Sequence, residues 1–177
     1  MNSSNFTKIA FITLAIVISA ATRFIPHPPN FTPILSMALI GGVFFNDKRL
    51  AFAIPLIAMF LSDVYFGFHP TLLAVYFSFL LTVLMGFAIK DTSNPIKIAG
   101  FSLVSSVMFY LITNLAHFFL MADYTKNFAG LVTCYSMAVP FFKWTIISGL
   151  IYSLSLFYVI SMFDKYFESK LKVIKIK

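Results

Sequence analysis

Asp63 is a carboxylate set in an apolar run, with Leu61 and Ser62 before it and Val64 after it. A charged group at that depth in hydrocarbon is costly, so it faces a partner or a wet cavity. Arg23, at the end of an earlier apolar run, is the partner expected by depth, and Lys143 is the alternative. Asn114 and His117 are three residues apart and share one helix face. With His27 and Asn30 in the first loop, and Tyr135 and Lys143 before or at the start of the last run, they form a candidate ligand-binding set. Such groups supply the few placed polar contacts that orient a small molecule in a pocket. His27, His69 and His117 lie on three separate segments without ligand spacing, so no metal site and no cofactor are expected. The sequence contains no P-loop, no G-x-S-x-G and no H-E-x-x-H, which removes the commoner ATPase and hydrolase readings. No enzyme activity is expected.

The elements that must position these groups are membrane spans. Hydrophobic residues make up 60% of the chain and charged residues 11%, against roughly 25% charged in soluble domains, so the surface cannot face water throughout. The apolar residues are continuous rather than alternating, which excludes a β-barrel and implies an all-α integral membrane protein. Residues 1–177 read as a single transmembrane domain of six spans, over about 9–24, 32–45, 50–66, 72–89, 96–121 and 143–163. The apolar stretch 128–140 is too short to cross and reads as an extra interfacial or re-entrant helix before the last span. The second span is also short. Its fourteen residues rise about 21 Å against a hydrocarbon thickness of about 30 Å, so it extends into the first loop or lies beneath a dip in the surface. Pro33, Pro70 and Pro95 sit near first turns, and Pro55 lies inside span three.

Charge orients the bundle. With the N-terminus inside, the cytoplasmic side receives Lys8, Lys48, Arg49, Lys90, Lys97, Lys165, Lys170, Lys172, Lys175 and Lys177. The outer side receives only Arg23, Lys126 and Lys143, and ten against three places both termini in the cytoplasm. The formal net charge of +7 is therefore a topology signal rather than a sign of nucleic-acid binding. The basic segment 164–177 reads as a cytoplasmic tail after the last span. The polar candidates then gather at the outer ends, and the inner parts of the spans hold only hydroxyls, which can bond to their own helices.

The stretch Arg23-Phe24-Ile25-Pro26-His27-Pro28-Pro29-Asn30-Phe31-Thr32-Pro33 and the triplet Leu61-Ser62-Asp63 are distinctive. With Gly130-Leu131-Val132-Thr133-Cys134-Tyr135 and Pro140-Phe141-Phe142-Lys143, they resemble a family of bacterial membrane proteins identified as substrate-binding (S) components of energy-coupling-factor (ECF) transporters. The resemblance runs from about Arg23 to Tyr158. It implies a six-helix bundle in the bacterial cytoplasmic (inner) membrane that takes a vitamin-like molecule or metal ion from outside. It also implies a transmembrane scaffold protein and ATPase subunits as partners. The scaffold contact of such proteins is an A-x-x-x-A motif on span one; here Ala15 and Ser19 hold those places, with serine in the second.

The leading expectation is thus a substrate-binding subunit for small-nutrient uptake, with the ligand and the lipid bilayer as partners and no nucleic acid. A self-sufficient small channel or facilitator is the alternative, and would need a polar path to the cytoplasm. A membrane enzyme at the outer interface, with His117 and Asp63 as acid and base, is a further one.

Overall fold

Helix α2 (Ile34–Phe44) is apolar on every side, and the bundle buries all of it except Val43. Around it stand α1 (Ser3–Ala21), α3 (Lys48–Phe66), α4 (Leu72–Phe87), α5 (Pro95–Leu120) and α6 (Phe128–Ile176), and α2 touches all five. A short 3-10 turn, Thr22–Phe24, continues α1. This computed structural model describes residues 3–89 and 94–176, and side chains over 5–89 and 94–167. Among the described residues there is no strand. Among the described residues, four helical stretches are long and apolar enough to cross a membrane: Asn5–Phe24, Lys48–Phe66, Pro95–Leu120 and Phe128–Phe167. Helices α2 and α4 are apolar but shorter. Large apolar side chains such as Leu14, Ile18, Leu61, Leu73, Ile96 and Met162 cover the outside of the bundle. That surface suits hydrocarbon, not water.

The helix starts follow local chemistry. The Asp47 carboxylate accepts from the Arg49 amide and caps α3, and Asn94 accepts from the amides of Ile96 and Lys97 ahead of Pro95 in the first turn of α5. Pro55 stays inside α3. The chain needs no Cβ at Gly41 there, because one would lie 2.7 Å from Cγ of the Pro55 ring.

The separate helix expected over 128–140 is not present. Residues 128 to 140 are the first turns of α6, which runs on through Pro140 for 49 residues. One proline removes a single backbone bond, and packing of this segment against α5 holds the helix together across it. At 1.5 Å per residue α6 is about 73 Å long, more than twice a hydrocarbon core, so it extends past any single crossing. Helix α1 begins at Ser3, earlier than the apolar run that announces it. Helix continues through the basic segment to Ile176, while Lys90 and Lys177, and the side chains of Lys170, Lys172 and Lys175, lie outside the described residues.

Two contacts fix the bundle. At the crossing of α2 and α4, Gly42 and Gly86 meet backbone to backbone; a Cβ on Gly42 would lie 2.2 Å from the Val83 carbonyl oxygen. At the end of the bundle away from Arg23, Lys8 pairs with Asp164 at 2.7 Å and Phe11 stacks on Phe163 at 3.8 Å, tying α1 to α6.

Candidate functional site

Arg23 stands on the 3-10 turn that ends α1, where the chain leaves the helix for the Pro-rich loop. Its guanidinium lies 2.8 Å from Oδ1 of Asp63, and both side chains are almost fully enclosed. It also donates to the Ser62 hydroxyl and lies over the Phe66 ring. The second carboxylate oxygen, Oδ2, accepts from the Tyr76 hydroxyl at 3.0 Å. Asp63 therefore has both oxygens engaged, and the expected Arg23 pairing is the one that forms. Lys143, the alternative partner, is exposed and lies over the Trp144 ring at 5.2 Å.

This pair forms part of the wall of a cavity of about 360 Å³ that also involves α2, α4, α5 and α6. Of the residues expected at the site, Arg23, Asn30, Asp63, Asn114 and His117 line it. Asn114 donates its Nδ2 to the Tyr110 carbonyl at 2.7 Å, and among the described residues its Oδ1 has no hydrogen-bond donor. His117 pairs through Nε2 with Asp123 at 3.0 Å, in the loop after α5, and its ring meets Tyr124 edge on. Asn30 takes a positive φ of 64°, which asparagine tolerates, and its carbonyl accepts from Ser148 on α6 at 3.4 Å. The first turn of the short α2 helps form the cavity with Thr32, Ile34 and Leu35.

Three expected residues stand apart from it. His27 is exposed, with Nδ1 2.9 Å from the Pro28 carbonyl oxygen. Tyr135 is on a part of α6 that packs on α5, where its hydroxyl donates to the Leu111 carbonyl at 2.6 Å. Lys143 points away, as described. His27 lies in the loop, and for Tyr135 and Lys143 on α6 position along the helix does not fix which way around it a side chain faces. Ala15 and Ser19 line a separate, apolar groove of about 300 Å³ between α1 and α6, and the Ser19 hydroxyl donates back to the Ala15 carbonyl.

Sequence reasoning missed Tyr76. The signal was the short connection from α3 to α4, which folds the two helices back so that residues just before and just after it meet. His69 and Thr71 from that connection also line the cavity, with His69 Nδ1 3.0 Å from the Thr71 hydroxyl. Phe141 and Phe142 from α6, with Phe109 and Tyr110 from α5, supply a cluster of aromatic rings.

Beneath the cavity the hydroxyls do more than bond to their own helices. Ser153 donates to Ser36 at 2.9 Å and approaches Ser102 at 3.4 Å, and Ser36 donates to the Gly149 carbonyl at 3.1 Å. A Cβ on Gly149 would lie 3.0 Å from the hydroxyls of Ser102 and Ser106. These buried bonds join α2, α5 and α6. Among the described residues, no three His, Cys, Asp or Glu side chains are grouped so as to hold a metal ion.

Residues 3–171 match a family of unknown function, DUF6580, and the chain belongs to that family. No curated protein and no solved structure matches it.

Proposed function

We propose that this protein is a membrane-embedded substrate-binding subunit for uptake of a small nutrient. In this reading six helices cross the bacterial inner membrane, both termini are cytoplasmic, and the cavity beside Arg23 and Asp63 opens to the outside. The cavity is the observation that carries the proposal. It is large enough for a small molecule, combines a few placed polar groups with a cluster of aromatic rings, and takes lining residues from the connections before α2 and before α4. The chain has no P-loop, so energy would come from separate ATPase subunits through a transmembrane scaffold. The apolar groove at Ala15 and Ser19 is the surface offered for that scaffold.

The buried hydroxyls below the cavity argue against a self-sufficient facilitator. Ser36, Ser102, Ser106 and Ser153 are bonded to one another or to backbone carbonyls and have almost no accessible surface, so they close the path rather than line it. Co-purification from native membranes followed by mass spectrometry of bound proteins tests the reading. An ATPase-bearing complex supports it. Nutrient uptake by vesicles holding this protein alone would replace it with a facilitator.

A further inference from the structure

The cavity lining combines a cluster of aromatic rings with charged groups that neutralise one another, and we infer from the combination that its ligand is a compact, uncharged heteroaromatic molecule. This rests on the binding-subunit reading and narrows it.

The aromatic rings form a cluster on α5 and α6. Tyr110 and Phe142 are stacked with centroids 4.4 Å apart and planes 30° from parallel, and Phe109 and Phe141 adjoin them along the cavity. The Tyr110 ring is held in place, because its hydroxyl donates to the Tyr135 carbonyl at 2.6 Å across to α6. Rings fixed in this way present faces and edges on which a planar ligand can stack with little loss of side-chain freedom.

The charged groups of the lining are internally neutralised. Arg23 and Asp63 compensate each other at 2.8 Å, and the second Asp63 oxygen is occupied by Tyr76. His117 already faces Asp123. A charged ligand would have to be desolvated while Arg23, Asp63 and His117, the described lining groups with an ion-pair partner, already face opposite charges, whereas a neutral one pays no such penalty. Divalent metal ions are disfavoured further, since no group of ligating side chains is assembled among the described residues.

Hydrogen-bonding capacity remains for a ligand's polar edge. Asn114 keeps Oδ1 as an acceptor, and His69 keeps Nε2 once Nδ1 faces Thr71. Both line the cavity. A volume of about 360 Å³ is near the lower end of small-molecule sites, which span about 300–1,000 Å³, and suits one or two fused rings.

The test uses the full chain in detergent, following its melting temperature and the fluorescence of Trp144, the single tryptophan, next to Thr145 of the cavity. The probes are nicotinamide, hypoxanthine and quinazolin-4-one as neutral heteroaromatics. Cyclohexanecarboxamide is the saturated comparison, and nicotinate, inorganic phosphate and Ni²⁺ are the charged ones. At least one neutral heteroaromatic should raise the melting temperature and alter the fluorescence. Phe142→Leu, which keeps an apolar side chain but removes the ring, should weaken that binding several-fold, to about tenfold. Phe142→Tyr should restore it. Tighter binding by the saturated amide, phosphate or Ni²⁺, sensitive to Asn114→Ala, would overturn the heteroaromatic class, and tighter binding by nicotinate would overturn its neutrality; either leaves the cavity as a binding site. A full panel without effect overturns the class. If wild-type protein also carries no small molecule from native membranes, the binding-subunit reading falls with it.

Discussion

The Arg23 guanidinium and the Asp63 carboxylate meet at 2.8 Å, joining the end of α1 to the last turn of α3 beside the cavity. The contact is nearly buried, so its two halves depend on each other. Truncating one partner leaves a charge enclosed without compensation, which typically costs about 3–5 kcal/mol, whereas replacing both by apolar groups can be close to neutral. Arg23→Met and Asp63→Leu should each lower unfolding stability in detergent by an amount in that range. The double variant should recover most of the loss. Additive losses in the cycle would show that the pair does not hold the fold.

Binding should behave differently from stability. The double variant keeps the packing but removes polar groups from the cavity, so ligand binding should stay lost when stability returns. Equal recovery of both in one titration series would assign Arg23 and Asp63 a structural role alone.

The crossing of α2 and α4 makes a prediction independent of any ligand. Gly42→Ala would press a Cβ to 2.2 Å from the Val83 carbonyl oxygen, and Gly86→Ala to 2.5 Å from that of Leu39. Backbone cannot yield as a side chain can, so each should destabilise by about 3 kcal/mol or more, the upper end for overpacking. Gly100→Ala is the control, since a Cβ there meets nothing within 4 Å. It should be neutral or stabilise by up to about 1 kcal/mol, because alanine favours helix. Thermal unfolding of the three purified variants decides the matter, and equal behaviour would contradict the contact.

Ser153 links α6 to α2 and approaches α5. Ser153→Ala should lower stability by about 0.6–1.7 kcal/mol, the range for interhelical polar contacts in membranes. Thr13→Ala should cost less, since that hydroxyl bonds only its own helix through the Ile9 carbonyl. Unfolding of the two variants side by side reads the difference, and a larger loss at Thr13 would contradict the interhelical role.

Much of the fold was legible because apolar runs and their punctuation are local signals. The runs around Ile34, Lys48, Leu72 and Pro95 became helices within two or three residues of the expected bounds. Helix α6 was split in expectation because Pro140 and the modest length of 128–140 both suggest an end, whereas packing on α5 carries the helix through. The Arg23–Asp63 pair was legible from depth, since two opposite charges near the same end of an apolar bundle have few other partners. Tyr76 was not, because a tyrosine in an apolar run has no charge to announce it. His27, Tyr135 and Lys143 stand apart from the cavity, and for the two on α6 only packing fixes the direction a side chain faces.

Topology is open to direct labelling. In a Cys134→Ser background, Ala122→Cys lies in the exposed loop after α5 and Lys165→Cys at the opposite end of the bundle. An impermeant thiol reagent should label Ala122→Cys in intact cells and Lys165→Cys only after permeabilisation. The reverse pattern would invert the orientation drawn from the basic residues.

The central claim is that the cavity beside Arg23 and Asp63 holds a small molecule, and native mass spectrometry of the gently purified protein tests it most directly. Wild-type protein should carry a discrete small-molecule adduct that a variant altered in the cavity lining, Asn114→Ala with Phe142→Leu, holds at a much lower level. An adduct equally present on both, or none on wild-type protein from native membranes, would contradict it.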